Sequence, residues 1–216
     1  MTMQKKTKPQ ADASPGLHAR TVTKKFGSQM VFANLDLDIA PGEFVAVVGP
    51  SGSGKTTLLN LLSGLDTPTS GAINAPSRRQ RAFIFQDYNL LEALNVRLNA
   101  ELTSRLIGRK VTKAVVDRTF RLLGIESLKE RLPHQLSGGQ QQRVAVARAV
   151  IAEVPYIFAD EPTGALDGTS ASAVLDCLGQ AAQQGSTVVM VTHSQAAAAR
   201  ADRIIDLGRV SAWDAE

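Results

Sequence analysis

A chain of 216 residues can bury a full core, so one large domain, or a domain with a subdomain, is expected. With 44% apolar and 20% charged residues it has the balance of a globular protein, and its net charge of +4 suits phosphates, an anionic membrane surface or nucleic acid without choosing among them. The one cysteine, Cys177, excludes an internal disulfide and points to a reducing compartment. No stretch has transmembrane length, and Met1 to Pro15 lacks the apolar run of a signal peptide. The chain is therefore expected in the cytoplasm, and work at a membrane would need another protein to bring it there.

Residues 1–16, with Lys5, Lys6 and Lys8, read as a disordered basic tail, and residues 17–216 as the folded domain. Leu17 to Phe26 predicts an edge strand. Met30 to Ile39 alternates, placing Val31, Ala33, Leu35, Leu37 and Ile39 on one side and Asp36 and Asp38 in water. Phe26, just before Gly27, is either a core aromatic at a strand end or a stacking platform for a nucleotide base. After the Pro41-Gly42 turn, Phe44 to Val48 is an apolar run suited to a buried parallel strand.

Gly49-Pro50-Ser51-Gly52-Ser53-Gly54-Lys55-Thr56 follows, and Thr56 to Ser63 has helical leucine spacing. A glycine-rich loop between a strand end and a helix start offers free backbone N–H groups and the positive end of the helix dipole to a phosphate. In this pattern Lys55 reaches the β- and γ-phosphates and the Thr56 hydroxyl binds Mg²⁺; Thr57 continues the same helix start. The bland alternative is a glycine-rich turn with a surface lysine.

Beyond a loop at Asp66 to Gly71, Ala82 to Phe85 reads as a short strand ending at Gln86. Residues 94–107 and 112–124 have helical periodicity, with Thr112 as N-cap and Gly124 closing the second helix. Together they predict a helical subdomain, roughly 88–153, inserted between strands. Leu136-Ser137-Gly138-Gly139-Gln140 opens a strong helix to Glu153, which is either a plain cap and turn or a second anion-binding helix start.

Pro155 to Ala159 reads as an apolar strand tipped by Asp160-Glu161. Beside a phosphate loop, Asp160 can hold Mg²⁺ and Glu161 can orient and deprotonate the attacking water; otherwise the pair is a solvated acidic turn. Ser170 to Gln184 predicts a helix that buries Cys177, and Ser186 to Val191 a strand ending at Thr192-His193. A lone histidine is usually structural, as His18 and His134 are taken to be. His193 stands at a strand tip, where ligands gather in open α/β sheets. A short helix (Gln195 to Arg200) and two strands (Arg203 to Leu207, Arg209 to Ala212) finish the chain, and Trp213 reads as packing. The order of elements implies an α/β fold with a largely parallel core sheet and an antiparallel side sheet near the N-terminus.

Features spread over nearly the whole length from Leu17 resemble the ATP-binding cassette (ABC) ATPases. Gly49 to Thr56 resembles the Walker A loop and Gln86 the Q-loop glutamine. Leu136 to Gln140 matches the family signature, and Tyr156 to Glu161 resembles Walker B with its catalytic glutamate. Ala165-Leu166-Asp167 resembles the D-loop, His193 the switch histidine and Phe26 the base-stacking aromatic. Phe85 to Leu91 and Asp160 to Asp167 are similar to the branch serving macrolide export, lipoprotein release and peptide or haem export, which also has a cell-division member. The chain departs from that branch in a shorter segment between Gly71 and Phe83 and in Ala171, where many relatives have glycine.

The resemblance implies a P-loop NTPase fold of the ABC type, with ATP and Mg²⁺ as cofactors and hydrolysis to ADP and phosphate. It implies that two copies pair head to tail, so that Ser137, Gly138, Gly139 and Gln140 of one copy reach the nucleotide held by the other. Gln86 would touch Mg²⁺ or water, and His193 would hold the γ-phosphate. The implied partner is an integral membrane permease, with the cassette peripheral on the inner face of the membrane. The expected task is export or extraction of a lipophilic or peptide-like substrate. A regulator of a membrane partner is the alternative; action on nucleic acid or ribosomes is less favoured, and no nucleic-acid partner is expected.

Overall fold

In the computed structural model, residues 15–210 are described; the basic tail over 1–14, the end of the last expected strand and Trp213 lie outside them. Of the expected tail, Pro15 and Gly16 are tied to the fold. The Tyr156 hydroxyl donates to the Pro15 carbonyl, and Asn74 Nδ2 donates to Gly16 O at 2.7 Å.

Two sheets form. The first is antiparallel and holds β1 (Leu17–Phe26), β2 (Gln29–Ile39) and β4 (Ser70–Ile73) in the order β2-β1-β4. The expectation of an edge for Leu17–Phe26 is thus corrected: β1 is central because β4, which begins inside the expected loop at Asp66 to Gly71, pairs on its far side. The alternation expected in β2 holds for Leu35, Leu37 and Ile39. It breaks before them, where Phe32 is buried and Val31 and Ala33 are only half-buried. The cause is a pair of bulges, with Thr21 (φ 46°) and Asn34 (φ 50°) in left-handed conformations and register shifts on either side of Val22. An extra residue in a strand moves everything beyond it to the other face.

The second sheet is parallel, in the order β5-β6-β7-β3-β8. Its strands are β3 (Phe44–Val48), β5 (Arg81–Ile84), β6 (Tyr156–Asp160), β7 (Thr187–Val191) and β8 (Arg203–Asp206). Both faces are covered, which is why these strands are continuous apolar runs. Val45, Val47, Tyr156, Phe158, Val189 and Val191 face one core, shared with the antiparallel sheet and α1 (Lys55–Ser63). Phe44, Ala46, Ile157, Ala159, Val188 and Met190 face the other. That core is filled by α2 (Val96–Leu106), α3 (Lys113–Leu122), α4 (Gly138–Ile151) and α5 (Gly168–Gln183). Cys177 lies there, its thiol pushed up to about 12 by burial, as befits an inert core residue.

Between β5 and β6 the chain leaves the sheet, and α2 and α3 pack against α4. Thr112 caps α3 through Val115 N. The buried Asn99 amide donates to Leu91 O and Leu94 O and accepts from Leu91 N, fixing the loop before α2. After α6 (Gln195–Ala198) and β8, the second expected closing strand is corrected: Leu207–Val210 is a helical turn, α7. The shortened 71–83 segment still makes β4, a 3₁₀ turn at Arg78–Gln80 and β5. Among the described residues no helix is long and apolar enough to cross a membrane.

Candidate functional site

Helix starts need partners for their first N–H groups. Asn95, Thr112, Ser137, Asp167 and Ser194 supply a side-chain acceptor at the starts of α2 to α6. The start of α1 has none, because its cap is Gly54 (φ 86°). The loop before it curls through Gly49 (φ 153°) and Gly52 (φ 81°). A Cβ on Gly54 would stand 2.6 Å from both Phe32 and Val31, so the β1–β2 hairpin backs the loop and only glycine fits. Lys55 Nζ donates to Gly49 O and Pro50 O, each at 2.9 Å, and so spans the loop mouth. Ser53 Oγ is buried with no hydrogen-bond partner, an unmet polar atom within the loop. These features fit a polyphosphate.

Sheet register sets the rest. β3 lies beside β7, and β7 beside β6 and then β5, so their C-terminal tips form a row. Thr192 N donates to Val47 O at 3.1 Å, and Glu161 N to Val191 O at 3.0 Å, locking three tips together. Thr56 Oγ1 donates to Asp160 Oδ2 at 3.1 Å, joining the loop helix to the acidic tip. Burial holds the Asp160 carboxyl above the usual carboxylate range, helped by the neighbouring Glu161 and opposed by Thr56 and Lys55. A hydroxyl and one carboxylate are the sparse protein ligands that suit Mg²⁺ when phosphates supply the others.

Glu161 adopts φ 48°, a left-handed conformation that costs a non-glycine residue about 1–3 kcal/mol. Its side chain is 15% exposed, with Oε2 accepting from Thr192 Oγ1 at 3.3 Å and Oε1 lying 2.9 Å from His193 Nδ1. A carboxylate only accepts, so it fixes the imidazole tautomer with hydrogen on Nδ1. The His193 side chain itself is 73% exposed. A cleft of about 390 Å³ opens beside this pair, lined also by Leu166 and Ser172. Gln86 lies in the exposed turn after β5, at the edge of the sheet that carries the acidic tip.

The start of α4 is different. Ser137 and Gln140 form a reciprocal capping box, with Gln140 N donating to Ser137 Oγ at 3.3 Å and Ser137 N to Gln140 Oε1 at 2.9 Å. Gly139 backs onto Leu166, which would stand 3.1 Å from a Cβ there, and Gly138 onto the Tyr88 hydroxyl. Among the described residues no hydrogen bond joins Ser137 to Gln140 with the Gly49 to Thr57 loop.

A family model described as ABC transporter matches residues 32–164. The chain belongs to the ABC transporter family. It is 46% identical over 194 residues to a macrolide export ATP-binding/permease protein, MacB 1, of Aeromonas hydrophila, covering 82% of this chain and 30% of that one. A MacB protein of Campylobacter jejuni is 41% identical over 206 residues, covering 87% and 32%. The chain thus spans about a third of the length of these curated relatives. Among solved structures it is similar to the dimeric post-hydrolysis state of the ATP-binding cassette MJ0796 bound to ADP and Pi, with a TM-score of 0.79, 34% identity, and 89% and 95% of the two chains covered.

Within this ABC fold, the structure brings Gly49 to Thr57, Asp160, Glu161 and His193 to one edge of the parallel sheet. It sets Ser137 to Gln140 apart on α4, and Phe26 at the hairpin tip, 54% exposed. Exposure removes the core-aromatic reading of Phe26.

Two residues escaped the sequence reading. Thr192 holds the Glu161 carboxylate. Arg148, buried on α4, donates to Tyr88 O at 2.7 Å and Asn89 O at 2.6 Å and so straps down the turn after Gln86. Its signal was a lone cation in the apolar run Val144 to Ile151.

Proposed function

We propose that this chain is the ATP-hydrolysing cassette of a membrane exporter or extractor, working as a head-to-tail pair with a second copy. The observation that carries the reading is the contact between Thr56 and Asp160, which brings an uncapped phosphate-binding helix start to an acidic strand tip next to Glu161.

In this reading ATP lies along the Gly49 to Thr57 loop with its base against Phe26. Thr56 and Asp160 would hold Mg²⁺, with Gln86 beside it or its water, and the ion would supply positive charge to the phosphate oxygens. Lys55 and the backbone amides of the loop do the same from the protein side. Glu161 accepts the proton of the attacking water, and His193, oriented through Nδ1, presents its other nitrogen to the γ-phosphate. Ser137, Gly138, Gly139 and Gln140 of the second copy close the site, in keeping with the dimeric MJ0796 cassettes. ATP binding closes the pair, and hydrolysis reopens it and drives a permease that lies on the same polypeptide or a separate one. The cassette would sit on the inner face of the membrane through that permease. The macrolide-export relatives support a lipophilic or peptide-like substrate.

The deciding variant is Glu161→Gln. It should retain ATP binding, lose ~10²–10⁴-fold in phosphate release and accumulate an ATP-bound dimer by size exclusion. Undiminished turnover removes Glu161 from the role of base, and a monomer under these conditions removes the pairing. Co-purification from membranes tests the partner: a multi-span protein supports the reading, and a nucleic acid sinks it.

A further inference from the structure

Lys24 is 7% exposed. It follows Val22 on the inward side of β1, where an apolar residue is expected, and a buried ammonium is costly unless fully partnered. It finds three partners. Its Nζ lies 2.8 Å from the Asp66 carboxylate, donates to Thr67 O at 2.9 Å and stands 4.7 Å from the centroid of the Phe26 ring. The pair holds Asp66 below the usual carboxylate range. A buried ion pair is often no more stabilising than a well-packed apolar substitute, so stability alone does not account for the lysine.

Its geometry does. Phe26 is an exposed aromatic at the tip of the β1–β2 hairpin, beside Gly27 (φ 58°), and the ammonium takes one face of its ring. Asp66 and Thr67 follow α1, the helix the phosphate loop opens, and Leu65 N and Asp66 N both donate to Asn60 O inside it. Farther along the same hairpin, Val31 and Phe32 press on Gly54 at the start of α1. Lys24 thus ties the ring to an element that the phosphate loop already fixes. A cation on the inner face also draws ring electrons inward, leaving the outer face suited to an electron-rich purine.

We propose that Lys24 is a positioning residue for the nucleotide: with Asp66 and Thr67 it seats the Phe26 ring as a rigid platform for a purine base. This rests on the nucleotide site proposed above. It is tested on the purified chain by calorimetric titration with Mg-ATP, and by displacement of ATP with inorganic tripolyphosphate, which has no base. Phe26→Ala should weaken ATP about tenfold and Lys24→Met about three- to tenfold. The double variant should be no weaker than Phe26→Ala, and tripolyphosphate should compete equally well in all of them.

Unchanged ATP affinity in Lys24→Met, an equal loss for both ligands, or full additivity with Phe26→Ala overturns the proposal. Should Lys24→Met fail to fold, Asp66→Asn breaks the same pair and must show the same base-selective loss. A parent chain that binds neither ligand refutes the nucleotide site itself, whereas binding of both with no base-selective effect refutes only the role of Lys24.

Discussion

Two helix starts in this molecule are led by glycine and serine, and they are built in opposite ways. At α1 the cap is Gly54 with no side-chain acceptor, and the buried Ser53 hydroxyl has no partner. At α4 the cap is Ser137, whose hydroxyl and backbone are both satisfied by Gln140. The first start leaves its donors for something from outside the chain. The second is self-contained, rigid and carried on helices that pack away from the loop. In the proposed reading the same motif physics serves two purposes: a site that grips, and a preformed surface offered to a site elsewhere.

The contrast is broken most severely at Gly54. Alanine there requires a left-handed side-chain residue and a Cβ 2.6 Å from Phe32 and Val31. Strain and overpacking together should cost ~2–5 kcal/mol, seen as a lower Tm and loss of ATP binding. Next comes Lys55→Ala, which leaves the fold intact but removes the cation held over Gly49 and Pro50. A loss of at least ~2 kcal/mol, some thirtyfold in ATP affinity, is expected by titration. Unaltered affinity would count against the loop.

Ser137→Ala sharpens the comparison from the other side. It removes the cap acceptor at α4, for ~1 kcal/mol of stability. ATP affinity of the single chain should be untouched while turnover falls, measured as phosphate release at saturating ATP. Equal losses of affinity and turnover would place Ser137 in the site of its own chain and undo the distinction.

Both helix starts were legible as residue patterns, because glycine or serine just ahead of a helical apolar spacing marks a helix start whether or not an anion binds there. The parallel strands were legible too, since burial on both faces writes unbroken apolar runs such as Phe44 to Val48. What hid was whatever a local deviation reversed. The bulges at Thr21 and Asn34 shift the phase of β1 and β2, which is why Lys24 and Phe32 turned inward against the simple alternation. The central place of β1 depends on a partner some fifty residues away, beyond any local window. Arg148 and Thr192 act on backbone and carboxylate atoms brought near only by the fold.

The smallest effect sets two carboxyls near α1 against each other by charge. Asp160, at the gripping site, is held above its ordinary range by burial, whereas the carboxyl of Asp66, paired with Lys24, is held below it. For Asp160 the folded state binds more protons than the unfolded one, so stability falls as pH rises from the unfolded pKa through the folded value. The penalty is full at neutral pH. Asp160→Asn removes it, and the variant should unfold at a higher temperature than the parent at pH 7, the gap closing as pH drops below ~3.9. Asp66 carries the opposite sign: its contribution is present at neutral pH and is lost as pH falls through its folded value, so Asp66→Asn should lower Tm at pH 7. Mg²⁺ with ATP should raise the Tm of the parent more than that of Asp160→Asn, because the proposed ion site includes the carboxylate that the variant lacks. An Asp160→Asn protein that is less stable than the parent at pH 7, or equally protected by Mg²⁺ and ATP, would show that this carboxylate is held for the fold and not for the ion.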